Sequence, residues 1–403
     1  NFIDLIPISQ EWAGPEKDMH LKAPPLFYVP TDSNTPFRFS YHVHDFGNMI
    51  VIGPPGGGKN VLAHFIAVSF LKYKDAQIFY FDKDYSGYVA TKIAGGVHYD
   101  ISEKSTAFQP LREIDDPGEM GWARDWLIDL LENENVKITS DIKSDLWSAL
   151  ESLSRDKNKD NRTITGFNVL VQNKEIQKTL EAYTIGNTYG LLDAKRNDIA
   201  KANWLTFEMN KLISDMKGAI LPTLSFIFHE IEKRLKDYRP TMVFLNEAWL
   251  FFETPLFTKR IRDWLKTFRT RNAAIVLITQ SLADTSGESF KVLMQTIQES
   301  IPSRIFIPNI NVKKPEVAKL YEAYGLNENQ INIIGNALPK KDYYLNSDIG
   351  NRKFNLNLGD IAKAVCASTS MEDYKLLKSF EDKGGDYAKA FLKCKLADIR
   401  RST

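Results

Sequence analysis

The stretch Asn48–Asn60 (NMIVIGPPGGGKN) limits what this chain can fold into more than any other. Met49–Ile52 is an apolar run of strand length, a glycine-rich turn follows, and Val61–Phe70 (VLAHFIAVSF) is long and apolar enough for a helix. Strand, loop and helix, with Gly53, Gly58 and Lys59 spaced as G-x-x-x-x-G-K, make a P-loop pattern. Its glycines let successive backbone N–H groups turn inward on phosphate oxygens, and the helix N-terminus adds the positive end of its dipole. Gly53, Pro54, Pro55, Gly56, Gly57, Gly58, Lys59, Asn60 and Val61 are therefore expected to cradle a nucleotide's phosphates, with Lys59 reaching the outermost. The last position departs from the pattern. Where Ser or Thr offers a hydroxyl to Mg²⁺, this chain has Asn60, a bulkier amide ligand.

A second apolar strand, Ala76–Phe81, ends in Asp82-Lys83-Asp84. Strand, helix, strand begins a parallel α/β sheet, whose ligands gather at the C-terminal ends of the strands. Asp82 and Asp84 either serve the nucleotide there or are ordinary polar residues ending a buried strand. Residues 113–203 change character: Trp122–Leu131 and Asp141–Leu153 carry apolar residues at helical spacing, and the charged run 154–162 reads as a solvated loop. This predicts a helical insertion in the α/β lobe, with Trp204–Glu208 returning to the sheet and a long helix from Ile220 to Leu235.

Thr241–Trp249 (TMVFLNEAW) then places a polar pair at the end of a buried strand, the Walker B arrangement, with Asn246-Glu247 where Asp-Glu is usual. Glu247 suits a residue that polarises water for in-line attack on the γ-phosphate; Asn246 is the second expected metal position. Ala273–Ile278 is another buried strand, ending in Thr279-Gln280-Ser281, where Gln280 is either a γ-phosphate sensor or a strand cap. A helix over Ser289–Ile297, a strand at Ser303–Pro308, a hairpin around Ile349–Asn351 and a charged helical tail over Met371–Arg400 complete the reading. The expected organisation is a nucleotide lobe in two parts (1–112 and 204–360), the insertion (113–203), and the tail (361–403) as a cap or partner surface.

Composition narrows the function classes. With 52 Lys plus Arg against 51 Asp plus Glu, the 403 residues show no excess of basic charge, so binding to nucleic acid is possible but not favoured. Cys366 and Cys394 lack metal-ligand spacing and read as reduced thiols. No apolar run approaches the length needed to span a bilayer.

Taken in order, Gly53–Asn60, Phe108–Leu111 (FQPL), Leu245–Trp249 (LNEAW), Thr279–Ser281 (TQS), Ile305–Asn309 (IFIPN), Tyr324–Leu326 (YGL) and Tyr343-Tyr344 carry a family resemblance. From about Phe37 to Gly359 the chain resembles the C-terminal ATPase domain of the large cytoplasmic ATPases of type IV secretion and conjugation systems, the TrbE/CagE family. The resemblance implies an α/β, RecA-like P-loop NTPase with a mostly parallel central sheet and a helical insertion, using ATP and Mg²⁺. It implies a homo-hexamer, or a ring mixed with a paralogue, and a further N-terminal domain. It places the protein in the cytoplasm, at the inner face of the bacterial inner membrane, beside other secretion components and the coupling protein. Ring enzymes of this kind receive an arginine from the neighbouring subunit. Arg269, Arg271, Arg304 and Arg352 are candidates, with Arg271 and Arg304 to be tested first. Asn60 and Asn246 both withdraw support from the same ion, while Lys59 and Glu247 are intact. Two readings follow, a motor subunit and a weakly or non-catalytic paralogue serving assembly. A third, a DNA translocase of the FtsK/HerA type, requires a basic pore and ranks last.

Overall fold

The computed structural model describes residues 12–33, 35–101, 107–197, 199–252, 254–280 and 295–402. Ser281 and most of the helix expected over Ser289–Ile297 lie outside them. The chain divides into two compact units, one of residues 1–97, 203–206 and 237–403, the other of 98–202 and 207–236.

The first unit is built on strands β1 (Phe27–Pro30), β2 (Pro36–Phe39), β3 (Met49–Ile52), β4 (Gln77–Asp82), β7 (Thr241–Asn246), β8 (Ala273–Thr279), β9 (Ser303–Phe306), β10 (Asp342–Ser347) and β11 (Gly350–Asn355). The division falls within β5 (Val97–Asp100) and β6 (Trp204–Glu208), and again at 202/203 and 236/237. The main sheet runs β11-β10-β9-β3-β8-β7-β4-β6. Its centre is parallel: β3 lies between β8 and β9, and β7 between β8 and β4. β9, β10 and β11 pair antiparallel at one edge. Every residue of β3, β4, β7 and β8 is buried, which is why these strands read as unbroken apolar runs rather than alternating ones.

Two features fix the central strand. Asn48 is buried just before β3; its amide nitrogen donates to Leu265 O (2.8 Å) and Ser300 O (3.0 Å), and its amide oxygen accepts from Ile275 N (3.0 Å) on β8. The helix Lys59–Phe70 then buries Leu62, Ala63, Ile66, Ala67 and Phe70 against Met49 and Val51 of β3 and Val276 of β8, in one core. The hairpin β1–β2 adds Phe27, Phe37 and Phe39 to it, with Phe354 of β11. The tail is part of this unit. Helices Met371–Lys383 and Tyr387–Ser402 break at Gly384-Gly385, and Leu377 and Phe391 pack on Tyr88 and Val89 of the helix Tyr88–Ile93.

The second unit is helical. Its longer helices are Pro117–Asn133, capped by Asp116, Ser140–Ser154, capped by Thr139, and Lys217–Arg234. The last of these, read from the sequence with the nucleotide lobe, belongs here: Trp126 Nε1 donates to Pro222 O (2.9 Å) and Trp122 stacks on His229 at 4.0 Å. Pro222 has no N–H for Gly218 O one turn earlier, and that carbonyl instead accepts from the Tyr183 hydroxyl (3.0 Å). The run 154–162 departs from its reading as a solvated loop at one point. Arg162 is buried, because its guanidinium takes Ser154 O, Asp156 O and Arg112 O as well as Asp115. A helix end and a turn left those carbonyls without partners, and one planar five-donor group satisfies them.

Among the described residues, no helix is long and apolar enough to cross a membrane.

Candidate functional site

The loop after β3 folds as the glycines require. A Cβ on Gly53 would lie 2.3 Å from Ile307 Cβ, so only glycine lets β3 turn beside the segment that follows β9. Gly58, the N-cap of the helix Lys59–Phe70, has φ +107°, where any other residue is strained. Between them, Gly57 N donates to Pro54 O (3.3 Å). Lys59 is buried and its ammonium donates to Gly53 O (2.7 Å) and Pro54 O (3.0 Å). Burial lowers its pKa to about 8, against the opposing pull of the Glu247 carboxylate. This lysine is held over the loop it belongs to.

β7 delivers the second wall. Glu247 takes a left-handed conformation (φ 55°) at the strand end, which turns its side chain out of the sheet. Its carboxylate accepts from Trp249 Nε1 (2.8 Å) and from Gln280 Nε2 (3.0 Å). Gln280 stands at the end of β8, the strand beside β3, so the three strand ends bring Lys59, Glu247 and Gln280 to one place. All three line a cavity of about 840 Å³, together with Pro55, Gly56, Gly58, Asn60 and Val61. The opposite side comes from further along the chain: Lys340, Lys341 and Tyr343, Asn355–Leu358, and Lys363, Ala367 and Thr369. The Tyr343 hydroxyl donates to Gly58 O (3.4 Å). His64, pushed down to about 4 by burial and hence neutral, donates from Nδ1 to Cys366 O (3.2 Å), tying the short helix Asp360–Cys366 to the P-loop helix.

Asn246 is spent elsewhere. Its Nδ2 donates to Asp82 Oδ1 (3.1 Å), and its Oδ1 accepts from Glu247 N (3.2 Å). Asp82, fully buried at the end of β4, also accepts from Ser86 Oγ and Gly87 N, both at 2.6 Å. Of the two readings of Asp82, the strand-end one fits: its oxygens anchor the turn into the helix Tyr88–Ile93. Asp84 is exposed, and neither aspartate is among the described residues lining the cavity. A hard cation favours carboxylate oxygens and water. An ion carried in on phosphates would find an amide at Asn60 and no spare carboxylate from Asn246 or Asp82.

The arginines differ sharply. Arg304 lies buried in β9, its guanidinium on Asn346 Oδ1 and Gln298 O (both 3.4 Å). The strand expected over Ser303–Pro308 is what buries it. Arg269 is bound to Asp45 (3.3 Å) and lies over Phe46, and Arg352 reaches Thr35 Oγ1 (3.3 Å). Arg271 is exposed, in the turn before β8.

The chain is 34% identical over 398 residues to the conjugal transfer protein TrbE of Rhizobium radiobacter, a match covering 96% of this chain and 48% of that protein. The type IV secretion system protein virB4 of Bartonella henselae is 26% identical over 321 residues, covering 78% of this chain and 40% of the relative. The structure of VirB4 of Thermoanaerobacter pseudethanolicus superposes with a TM-score of 0.66 at 14% identity, covering 83% of this chain and 97% of that one. The chain is of the TrbE/VirB4 type. Its fold is that of a RecA-like P-loop NTPase, α/β with a mostly parallel sheet. No protein-family model matches the chain. It spans about half the length of the curated relatives it matches.

In this TrbE/VirB4-type chain, sequence reasoning missed the wall at Lys340–Tyr343 and Asn355–Thr369. The Tyr343-Tyr344 pair belonged to the resemblance, but nothing local said that its first hydroxyl meets the P-loop 285 residues away. The Asp82–Asn246 pair was missed for the same reason, although an acid and an amide ending two buried strands were visible.

Proposed function

We propose that the chain is the ATP-binding motor module of a type IV secretion or conjugative transfer apparatus, energising channel assembly or substrate transfer. The observation that carries this reading is the convergence on one cavity of the P-loop with Lys59 and of the Glu247–Gln280 pair. The N–H groups of Gly56 to Val61 and the Lys59 ammonium would hold the phosphates. Glu247 would accept a proton from a water in line with the γ-phosphorus; the water oxygen bonds to phosphorus as the bond to the β-phosphate oxygen breaks and ADP leaves. Gln280, already bonded to Glu247, is placed to report the γ-phosphate to the sheet.

The same reading has the module act in a homo-hexamer, or a ring mixed with a paralogue, docked on the secretion components at the inner face of the inner membrane and working with the coupling protein. Arg271 is the arginine we assign to the neighbour's site, since it is exposed and Arg304 is not. The relatives are proteins of conjugal transfer and type IV secretion by name, which supports the assignment.

A second reading, a subunit that binds nucleotide with little or no turnover, is favoured by Asn60 and by the engaged amide of Asn246. ATP binding and hydrolysis by the wild type, Lys59→Ala and Glu247→Gln separate the two. The motor reading expects Lys59→Ala to lose binding, and Glu247→Gln to keep binding while turnover falls about a hundredfold or more. Binding by the wild type with turnover no greater than that of Glu247→Gln would replace it with the second reading.

A further inference from the structure

The two positions expected to support a divalent cation carry amides, and one of those amides is already committed within the protein. The charge of a polyphosphate must then be met some other way. The cavity itself supplies one. Among the described residues, its charged lining consists of four lysines, Lys59, Lys340, Lys341 and Lys363, and one carboxylate, Glu247.

The placement of Lys340 and Lys341 is built rather than incidental. They lie in a turn between the helix Glu328–Asn336 and β10, and that turn is closed on itself. Asp342 N donates to Leu338 O (2.9 Å), and the Asp342 carboxylate accepts from Leu338 N (2.8 Å). The turn is also latched to the phosphate loop. Lys340 N donates to Gly57 O (3.2 Å), and the Tyr343 hydroxyl, three residues on, donates to Gly58 O (3.4 Å). Lys340 adopts φ 63°, a left-handed conformation that costs a non-glycine residue energy and persists only where surrounding bonds impose it. Both side chains are exposed, and neither they nor Lys363 make an ion pair among the described residues. Two lysines with no carboxylate partner among the described residues are thus carried on a turn fixed at the rim of the loop expected to cradle phosphate.

We propose that in this site the lysines at 340, 341 and 363 join Lys59 in compensating the charge of a nucleoside polyphosphate, so that binding does not depend on a divalent cation. This rests on the nucleotide reading above. Lys59 acts from within the loop as a buried point charge. Lys340 and Lys341 act from the facing turn, where each contributes what an exposed ion pair does, about threefold in affinity and about tenfold for the two together.

The test is equilibrium dialysis of ATP against the full chain in excess Mg²⁺ and in EDTA, for the wild type and for Lys340→Ala/Lys341→Ala. Both substitutions are at exposed positions, so folding is not at issue, and circular dichroism checks it. The expected result is wild-type affinity that changes by no more than about threefold on removing Mg²⁺. The double variant should lose about tenfold in EDTA and less in Mg²⁺, where the ion screens the phosphates. Wild-type binding that disappears in EDTA would overturn the proposal and leave the nucleotide reading standing. Metal-independent binding that the double variant does not weaken would overturn the assignment to these lysines. An absence of ATP binding in both conditions would overturn the nucleotide reading beneath it.

Discussion

The ends of β3 and β7 are two strands apart in one sheet, and they use their polar groups in opposite ways. At the end of β3 the loop opens: backbone N–H groups, Lys59 and Asn60 face a cavity, and glycines at 53 and 58 keep the backbone where a side chain would block it. At the end of β7 the polar pair divides. Glu247 turns out toward the same cavity, while Asn246 turns in and closes a buried network with Asp82 and Ser86. The contrast shows that an amide in place of an acid is not by itself a sign of decay. A carboxylate at 246 would stand about 3 Å from the buried Asp82 carboxylate, and two such charges do not share a dry site without one taking up a proton. Asn246 is the residue that Asp82 requires.

This comparison is broken most forcefully at position 246. Asn246→Asp should destabilise the chain by about 3 kcal/mol or more at neutral pH, the scale of an unpaired buried charge. The loss should shrink as the pH falls and one carboxyl protonates. The swapped pair, Asp82→Asn with Asn246→Asp, should recover part of the stability, because a single charge again faces an amide. Urea denaturation of the three variants reads this directly. An Asn246→Asp chain as stable as the wild type would show that the pair is incidental.

At the other strand end, Gly53→Ala should cost about 1–3 kcal/mol, since the new methyl would sit 2.3 Å from Ile307 Cβ and the backbone must move to admit it. The thermal midpoint checks stability, and ATP affinity should fall with it as the loop is displaced.

A smaller effect concerns pH. Lys59, held down to about 8 by burial, is charged below that value and would bind phosphate there without taking up a proton. Above it the free protein has a neutral lysine, and a bound polyphosphate pulls the pKa back up. ATP affinity should therefore fall as the pH rises through about 8, with proton uptake on binding seen as a buffer-dependent heat in calorimetry. Affinity that rises with pH across this range would contradict the assignment. The smallest change should come from Asn60→Thr. This residue is half-buried at the cavity edge, and stability should move by no more than about 0.5 kcal/mol.

Much of the site was legible in the sequence because it is local. A P-loop is a strand, a turn and a helix within 25 residues, and its chemistry dictates which residues must be glycine. The same holds for β7 and β8, whose apolar runs announce buried strands and whose ends carry Glu247 and Gln280. What was not legible depends on contacts made across the chain. The helix Lys217–Arg234 buries residues on most of its surface, so its pattern gives no single face that says which unit it joins. Arg162 stands in a run of charges that belongs to solvent by composition, and only the free carbonyls around it explain its burial. Arg304 read as a candidate for a neighbouring site until β10 was found lying beside it. The lysines at 340 and 341 carry no motif at all. Their meaning comes from the bonds that latch their turn to the phosphate loop, Lys340 N to Gly57 O and the Tyr343 hydroxyl to Gly58 O.

The central claim is that the cavity at the P-loop holds a nucleotide through Lys59. Isothermal titration of ATP into the wild type and into Lys59→Ala tests it most directly. The account predicts saturable binding to the wild type that is lost, or weakened by at least about tenfold, in the variant, the loss of a charge-assisted bond to phosphate. Equal binding to both chains would contradict it.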